Sequence, residues 1–139
     1  MMLMFLFCFA SLALAFSNGQ EELANLIVAW KDMLIPNNDI CIKDSGVNEA
    51  DIISFFETFK LGYNHKLNCY FECQEIQLKF IDLNGNFNIT EIINTVAGVD
   101  EEIAKECARQ FQYEKDICDK GFSLVKCCVQ KILININKH

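Results

Sequence analysis

Seven of the chain's eight cysteines lie between residues 41 and 128, and they constrain its fold more than any other feature. Cys69 and Cys73 lie four positions apart in a segment with helical periodicity, so they share one face of a helix. Their Cβ atoms are then too far apart to be bridged by a disulfide bond. We therefore expect the helix that carries them to be bonded covalently to two different neighbouring segments.

The apolar segment at the start of the chain predicts the compartment in which these cysteines fold. Leu3 to Phe16 carries no charge and is too short to span a bilayer comfortably, and Ala13 and Ala15 precede a polar stretch. These features are typical of a secretory signal peptide, which we place at residues 1–17, with cleavage after residue 15, 17 or 19. No later segment is apolar and long enough for stable membrane insertion. Residues 18–139 are then expected to form one secreted, extracellular domain.

The cysteine count agrees with an oxidising compartment. Cys8 is removed with the predicted signal peptide, which leaves an odd number of cysteines. An odd number in a secreted domain indicates three disulfide bonds and one additional thiol, although many pairings are compatible with the sequence.

The rest of the chain has helical periodicity throughout, which predicts an all-α fold. Pro36, a turn around Cys41 and a turn after Ile81 interrupt it. Asn48 and the sequence from Asn88 to Glu91 have the character of helix N-caps. The large apolar side chains could fill the core of the bundle or surround a cavity, and periodicity does not distinguish the two. Six helices are expected, at about residues 22–34, 48–62, 65–81, 88–97, 100–117 and 122–133.

Several functional classes lack the residues they need. A net charge of −7 disfavours a nucleic acid partner. His65 and His139 are the only histidines, which leaves no basis for a catalytic His–carboxylate pair, so neither an enzyme nor a cofactor is expected. No metal site is expected either: the segment before Glu91 resembles a calcium loop, but Phe80 would occupy its first ligand position. Asn88 begins a glycosylation sequon, although it also fits the helix cap.

The cysteine spacing resembles that of the insect odorant-binding proteins, the pheromone and general odorant-binding family of the six-cysteine type. Intervals of 27, 3, 33, 10 and 8 residues separate Cys41, Cys69, Cys73, Cys107, Cys118 and Cys127, and the intervals of three and eight are that family's most rigid ones. The resemblance implies the pairings Cys41–Cys73, Cys69–Cys118 and Cys107–Cys127. Cys128 lies outside the pattern and could be free, exchange with Cys127, or link two chains into a homodimer.

The resemblance also implies a function. It implies a compact bundle of about six helices around an apolar cavity, which carries a small hydrophobic ligand such as an odorant, pheromone or similar semiochemical. A membrane receptor of the olfactory neuron is the partner that it implies. The chain ends soon after its last helix, so release driven by a long C-terminal tail is not expected. The competing hypothesis is a secreted, disulfide-bonded helical protein of venom, saliva or reproductive fluid that acts on a macromolecular partner.

Large apolar residues at core-facing positions are the candidates for the cavity wall, and each could equally be ordinary core. A tyrosine at 63, 70 or 113 could add a polar contact. The predicted ligand-binding residues are Leu26, Trp30, Phe55, Phe56, Phe59, Ile76, Phe80, Ile92, Val96, Phe111, Phe122 and Val125.

Overall fold

A computed structural model describes the backbone of residues 2–60 and 62–138 and the side chains of residues 18–60 and 62–138. In this part of the chain the fold is all-α, as predicted, and the only extended pairing is an isolated bridge between Ile81 and Phe87. A 3-10 turn at Ile35–Asn37 joins the first two helices. The helices are α1 (Met2–Leu34), α2 (Asn38–Ser45), α3 (Glu49–Thr58), α4 (His65–Gln77), α5 (Ile89–Thr95), α6 (Glu101–Phe111) and α7 (Ile117–Asn137).

Side-chain caps begin most of these helices where the sequence predicts them. The Asn48 side chain accepts a hydrogen bond from the Ala50 N–H at 3.0 Å, and the Asn88 side chain accepts one from the Glu91 N–H at 3.1 Å. Each cap satisfies a backbone donor that the first turn of a helix leaves without a partner. Glycosylation of Asn88, which is exposed, stays a prediction.

Several helix bounds differ from the sequence-based expectation, and the first helix, α1, begins at Met2 and not near residue 22. The predicted turn around Cys41 is a helix, α2, which ends at Gly46 because that residue adopts a left-handed φ of 68°. The helix predicted to run to Ile81 ends at Gln77, and Lys79 adopts a φ of 64° two residues later. That reversal allows Asp82 to accept hydrogen bonds from the backbone of Asn84 and Asn86, so the carboxylate stabilises a tight turn.

The last two helices divide at a different place from the one predicted. α6 ends at Phe111, and α7 already begins at Ile117 because the Asp116 side chain accepts a hydrogen bond from the Asp119 N–H at 3.0 Å. α7 is therefore longer than expected, and it packs along α4.

Three disulfide bonds hold the bundle together, with the pairing that the family resemblance implies. Cys41–Cys73 joins α2 to α4, Cys69–Cys118 joins α4 to α7, and Cys107–Cys127 joins α6 to α7. The prediction that Cys69 and Cys73 bond to different segments is confirmed. α4 is thus linked covalently to a helix on each side.

The core contains a dense group of aromatic rings at the α3 side of the bundle. The Phe55 ring packs edge-on against Phe56, Phe59 and Phe71, with centroids 5.1, 5.6 and 4.8 Å apart. Phe122 of α7 completes the group, 5.7 Å from Phe71. Part of the interior is therefore filled by side chains.

The predicted signal peptide lies outside the part of the chain whose side chains are described. Its cleavage and the single domain at residues 18–139 stay predictions. Within the described residues, no helix combines the length and apolar character needed to cross a membrane.

Candidate functional site

An internal cavity of about 90 Å³ lies next to the aromatic group, between α1, α3, α4, α5 and α7. Each helix contributes residues from the face that it turns toward the core, so the cavity depends on all five helices. Its wall is almost entirely hydrocarbon or aromatic. The wall residues are Trp30, Met33, Leu34, Phe55, Phe56, Phe71, Gln74, Glu75, Leu78, Phe80, Ile92, Val96, Val99, Leu124, Val125, Cys128, Val129 and Ile132.

α4 lines the cavity with one continuous face. Phe71, Gln74, Glu75 and Leu78 follow one another at intervals of three, one and three residues, which is the spacing of a single helical stripe. The disulfides of Cys69 and Cys73 hold α4 against α7 and α2. They therefore restrict any rotation that would move this stripe away from the cavity.

Trp30 closes the α1 side of the cavity and is held by a long-range hydrogen bond. Its indole Nε1–H donates to the Ala97 carbonyl oxygen at 2.8 Å, and the side chain is 5% exposed. The bond joins α1 to the loop that follows α5. Because this is the only tryptophan in the chain, its fluorescence reports on the cavity directly.

Gln74 belongs to a buried polar network at the junction of α1, α2 and α4. Its amide nitrogen donates to the Leu34 carbonyl oxygen at 3.0 Å and lies 3.2 Å from Asn38 Oδ1. The Tyr70 hydroxyl also donates to Asn38 Oδ1. These bonds orient the Gln74 amide and leave its carbonyl oxygen, Oε1, without a partner.

Glu75 is the most unusual residue of the wall. It is 4% exposed, and neither carboxyl oxygen has a hydrogen-bond partner. Burial, and then the negative charge of Glu72, raises the pKa of the Glu75 carboxyl well above its ordinary value, which favours the neutral, protonated form. A neutral carboxyl group can both donate and accept a hydrogen bond.

Cys128 is the one cysteine among the described residues that is not in a disulfide, and it lies in the cavity wall. Burial, and then the charge of Glu75, raises the pKa of its thiol to about 12. Cys127, on a neighbouring face of α7, forms the disulfide to Cys107. Cys107 is therefore paired with Cys127 and not with Cys128. A disulfide-linked dimer through Cys128 would require α7 to move outward.

The PBP/GOBP family model matches residues 24–131, which include every helix from α2 to α6 and all three disulfides. The chain belongs to the PBP/GOBP family. Proteins of this family are small odorant- or pheromone-binding proteins that bind hydrophobic ligands and are secreted; they are binding proteins, not enzymes.

The structure places some of the predicted wall residues of this PBP/GOBP protein around the cavity. These are Trp30, Phe55, Phe56, Phe80, Ile92, Val96 and Val125. Whether they bind a ligand stays a proposal.

Five predicted wall residues lie elsewhere. Phe59 and Phe122 belong to the aromatic group, where the ring of Phe59 packs against Trp30 at 6.4 Å. Leu26 packs beside Gly98, where an added Cβ would lie only 3.1 Å from the Leu26 side chain, so the absence of a Cβ allows the close approach. Ile76 faces a surface depression with Ile81, and Phe111 packs at the edge of the core.

Other wall residues of the PBP/GOBP fold were not predicted. Gln74 and Glu75 are polar, so a search for large apolar residues passes over them. Phe71 was missed because Ile76 was the wall residue predicted between residues 65 and 77, and Ile76 lies on a different face of α4, at a surface depression. The unpredicted wall residues are Met33, Leu34, Phe71, Gln74, Glu75, Leu78, Val99, Leu124, Cys128, Val129 and Ile132.

His65 lies outside the cavity, at the start of α4. Its Nε2 lies 3.1 Å from Asp116 Oδ2, and both side chains are nearly half exposed. His65 belongs to two groups of side chains whose ligand atoms lie close enough together to hold a metal ion. In the first group, Cys69 and Cys118 are bonded to each other in a disulfide. In the second group, Asp116 caps α7. These contacts are accounted for by local structure. Of the three tyrosines, Tyr63 and Tyr113 are exposed, and Tyr70 belongs to the buried network.

Proposed function

We propose that this protein is an extracellular carrier that binds a small hydrophobic ligand reversibly in the cavity between α1, α3, α4, α5 and α7. The observation that supports the proposal is the apolar cavity itself, in a bundle whose helices are held by three disulfides. Because the disulfides limit collapse of the helices onto one another, the cavity does not need a ligand to persist.

Binding would be driven by the transfer of apolar surface from water. A ligand that buries about 200 Å² gains roughly 5 kcal/mol at about 25 cal/mol per Å². This term alone corresponds to a Kd of roughly 0.2 mM, so an affinity in the micromolar range requires about 3 kcal/mol more from shape fit and hydrogen bonds, beyond the cost of association. Weak, non-covalent binding of this kind also allows release.

The cavity volume limits the ligand. At about 90 Å³ it is smaller than pockets for drug-sized ligands, which start at roughly 300 Å³. It is also smaller than an engineered cavity of about 150 Å³ that takes up benzene. A larger guest therefore requires wall side chains to change rotamer, and Met33 is the most adaptable of them because its thioether chain is unbranched.

Uptake of an apolar guest that is close to the cavity in size, such as cyclopentane, tests the proposal. We expect stoichiometric uptake, displacement by small hydrophobic competitors, and a change in the emission of Trp30. Val129→Phe places a ring in the cavity and should abolish uptake, whereas Val28→Phe makes the same chemical change at a position that is 58% exposed and should not. Circular dichroism must show that both variants are folded.

Equal uptake by both variants, or no uptake by the wild-type protein, would contradict the proposal. The second result would favour the competing hypothesis of a secreted protein that acts on a macromolecular partner. Delivery to a membrane receptor and secretion after cleavage of residues 1–17 are further parts of the proposal. Mass spectrometry of the secreted protein tests the cleavage, with an expected N-terminus at residue 16, 18 or 20.

A further inference from the structure

The surface that the wall turns toward the cavity is entirely apolar. Three wall residues, Trp30, Gln74 and Glu75, carry nitrogen or oxygen in their side chains, and these atoms are directed elsewhere. The Trp30 Nε1–H donates to the Ala97 carbonyl oxygen, and the Gln74 amide nitrogen donates to the Leu34 carbonyl oxygen. A ligand in the cavity therefore meets no nitrogen or oxygen atom of the protein.

The Glu75 carboxyl group belongs to the contact between α4 and α7 and not to the cavity surface. Its Oε2 would lie 3.3 Å from a Cβ added at Gly121, and the same Cβ would lie 3.2 Å from the Glu72 Cα. This close contact holds the carboxyl between the two helices, and the Cys69–Cys118 bond joins them covalently. We therefore expect the wall to stay apolar when a ligand enters.

An entirely apolar surface penalises every polar group that a ligand brings. A group such as a hydroxyl loses its hydrogen bonds to water when it enters the cavity, and the wall offers no replacement. Transfer of such a group from water costs several times more into cyclohexane, where nothing can hydrogen-bond, than into octanol, which compensates in part. The cavity should therefore resemble cyclohexane as a solvent for the ligand.

We propose that the cavity selects compact hydrocarbons that carry no hydrogen-bonding group, and that it discriminates against alcohols, ethers and carbonyl compounds of the same size. The inference rests on the carrier function proposed above and specifies the class of ligand. The volume of about 90 Å³ restricts this class to small molecules such as cyclopentane. Because the wall provides no hydrogen bond, any affinity beyond the transfer of apolar surface comes from shape fit alone.

The affinities of cyclopentane and tetrahydrofuran for the wild-type protein test the proposal. The two rings are nearly equal in size, and tetrahydrofuran has an ether oxygen in place of one CH₂ group. Cyclopentane uptake is measured by Trp30 emission and by gas chromatography of the vapour above a sealed protein solution, and tetrahydrofuran is then added as the competitor. We expect the cyclopentane-to-tetrahydrofuran affinity ratio to exceed the ratio of their octanol–water partition coefficients and to approach the larger ratio measured for cyclohexane–water.

Val129→Thr is the matched perturbation, because threonine has nearly the shape of valine and adds one hydroxyl group to the wall. That hydroxyl can donate to the ether oxygen but gives nothing to cyclopentane. The affinity ratio should therefore fall about tenfold, which corresponds to about one hydrogen bond. Val28→Thr makes the same change at a position that is 58% exposed and should leave the ratio unchanged. Circular dichroism must show that both variants are folded.

The outcomes separate the two proposals. If the wild-type protein takes up no cyclopentane, the carrier function itself fails. If cyclopentane binds but the wild-type ratio is at or below the octanol–water value, a polar partner is present in the cavity, so the hydrocarbon selectivity is wrong and the carrier function stands. A folded Val129→Thr variant with the wild-type ratio would also overturn the inference, because a missing hydrogen bond would then not be the cause of the selectivity.

Discussion

Replacement of Glu75 by glutamine should change how the free energy of unfolding depends on pH. The pKa of Glu75 is raised in the folded protein, first by burial and then by the charge of Glu72, whereas an exposed carboxyl in the unfolded chain titrates near 4.5. Between these two pKa values the folded protein holds a proton that the unfolded chain releases. Folding is therefore favoured at acidic pH, and this contribution decreases as the pH rises toward the folded-state pKa.

The size of this pH-dependent change in stability is set by the uptake of one proton by Glu75 on folding. A single group contributes at most ~1.4 kcal/mol of stability per pH unit in the interval between its two pKa values. Glutamine has nearly the shape of the protonated acid and does not titrate. The wild type and Glu75→Gln should therefore be similarly stable below the unfolded-state pKa of 4.5, and the variant should become progressively more stable than the wild type as the pH rises toward the folded-state pKa.

Urea unfolding at a series of pH values, followed by far-ultraviolet circular dichroism, measures this difference. Glu114→Gln removes an exposed carboxyl and is the matched control, for which the curve should follow that of the wild type. Subtraction of the free energy of unfolding of each variant from that of the wild type cancels the contributions of groups that are the same in both proteins. If the wild type and Glu75→Gln lose stability in parallel as the pH rises, the carboxyl is not held as a buried neutral acid.

Three other predictions concern the groups that hold the bundle together. Replacement of Cys69 and Cys118 by serine should lower the free energy of unfolding, measured in urea, by about 4 kcal/mol, because it releases a loop closed over 49 residues. An unchanged midpoint of urea unfolding would contradict this. Lys120→Met should lower the free energy of unfolding by about 2–3 kcal/mol, since two carbonyl oxygens lose a buried charged donor. Lys126→Met, at an exposed position, should leave the free energy of unfolding nearly unchanged in the same assay. In the mature protein Cys128 should not react with a thiol reagent at about pH 8, because burial raises the pKa of its thiol to about 12. When the protein unfolds, one reactive thiol per chain should appear. Rapid reaction of the native protein would show that the Cys128 thiol is accessible.

Most helix starts could be predicted because they depend on local chemistry, whereas the disulfide pairing could be predicted only through the resemblance of the cysteine intervals to those of a known family. Asn48 and Asn88 cap the helices that follow them, and the cysteine intervals match the pairing present in the structure. The cavity wall was harder to predict because it depends on the rotation of each helix about its axis. Phe59 and Phe122 have the same apolar character as Phe55, yet they pack into the aromatic group and do not reach the cavity.

The polar part of the wall could not be predicted from hydrophobic periodicity at all. Glu75 looks like a solvent-exposed residue in the sequence, and only the packing of α4 against α7 beside Gly121 shows that it is enclosed. Its position follows from Cys73, two residues earlier, because the Cys41–Cys73 and Cys69–Cys118 bonds set the face that α4 turns inward. The same two disulfides that stabilise the bundle therefore determine which side chains line the cavity.

A fold that places an unpartnered carboxyl in an otherwise apolar wall gives up stability that a leucine would recover. Stability is supplied elsewhere, by the disulfides on either side of α4 and by the hydrogen bonds that Lys120, Tyr70 and the Gln74 amide nitrogen donate. The bundle can therefore hold the buried Glu75 carboxyl in place although no protein group is its hydrogen-bond partner.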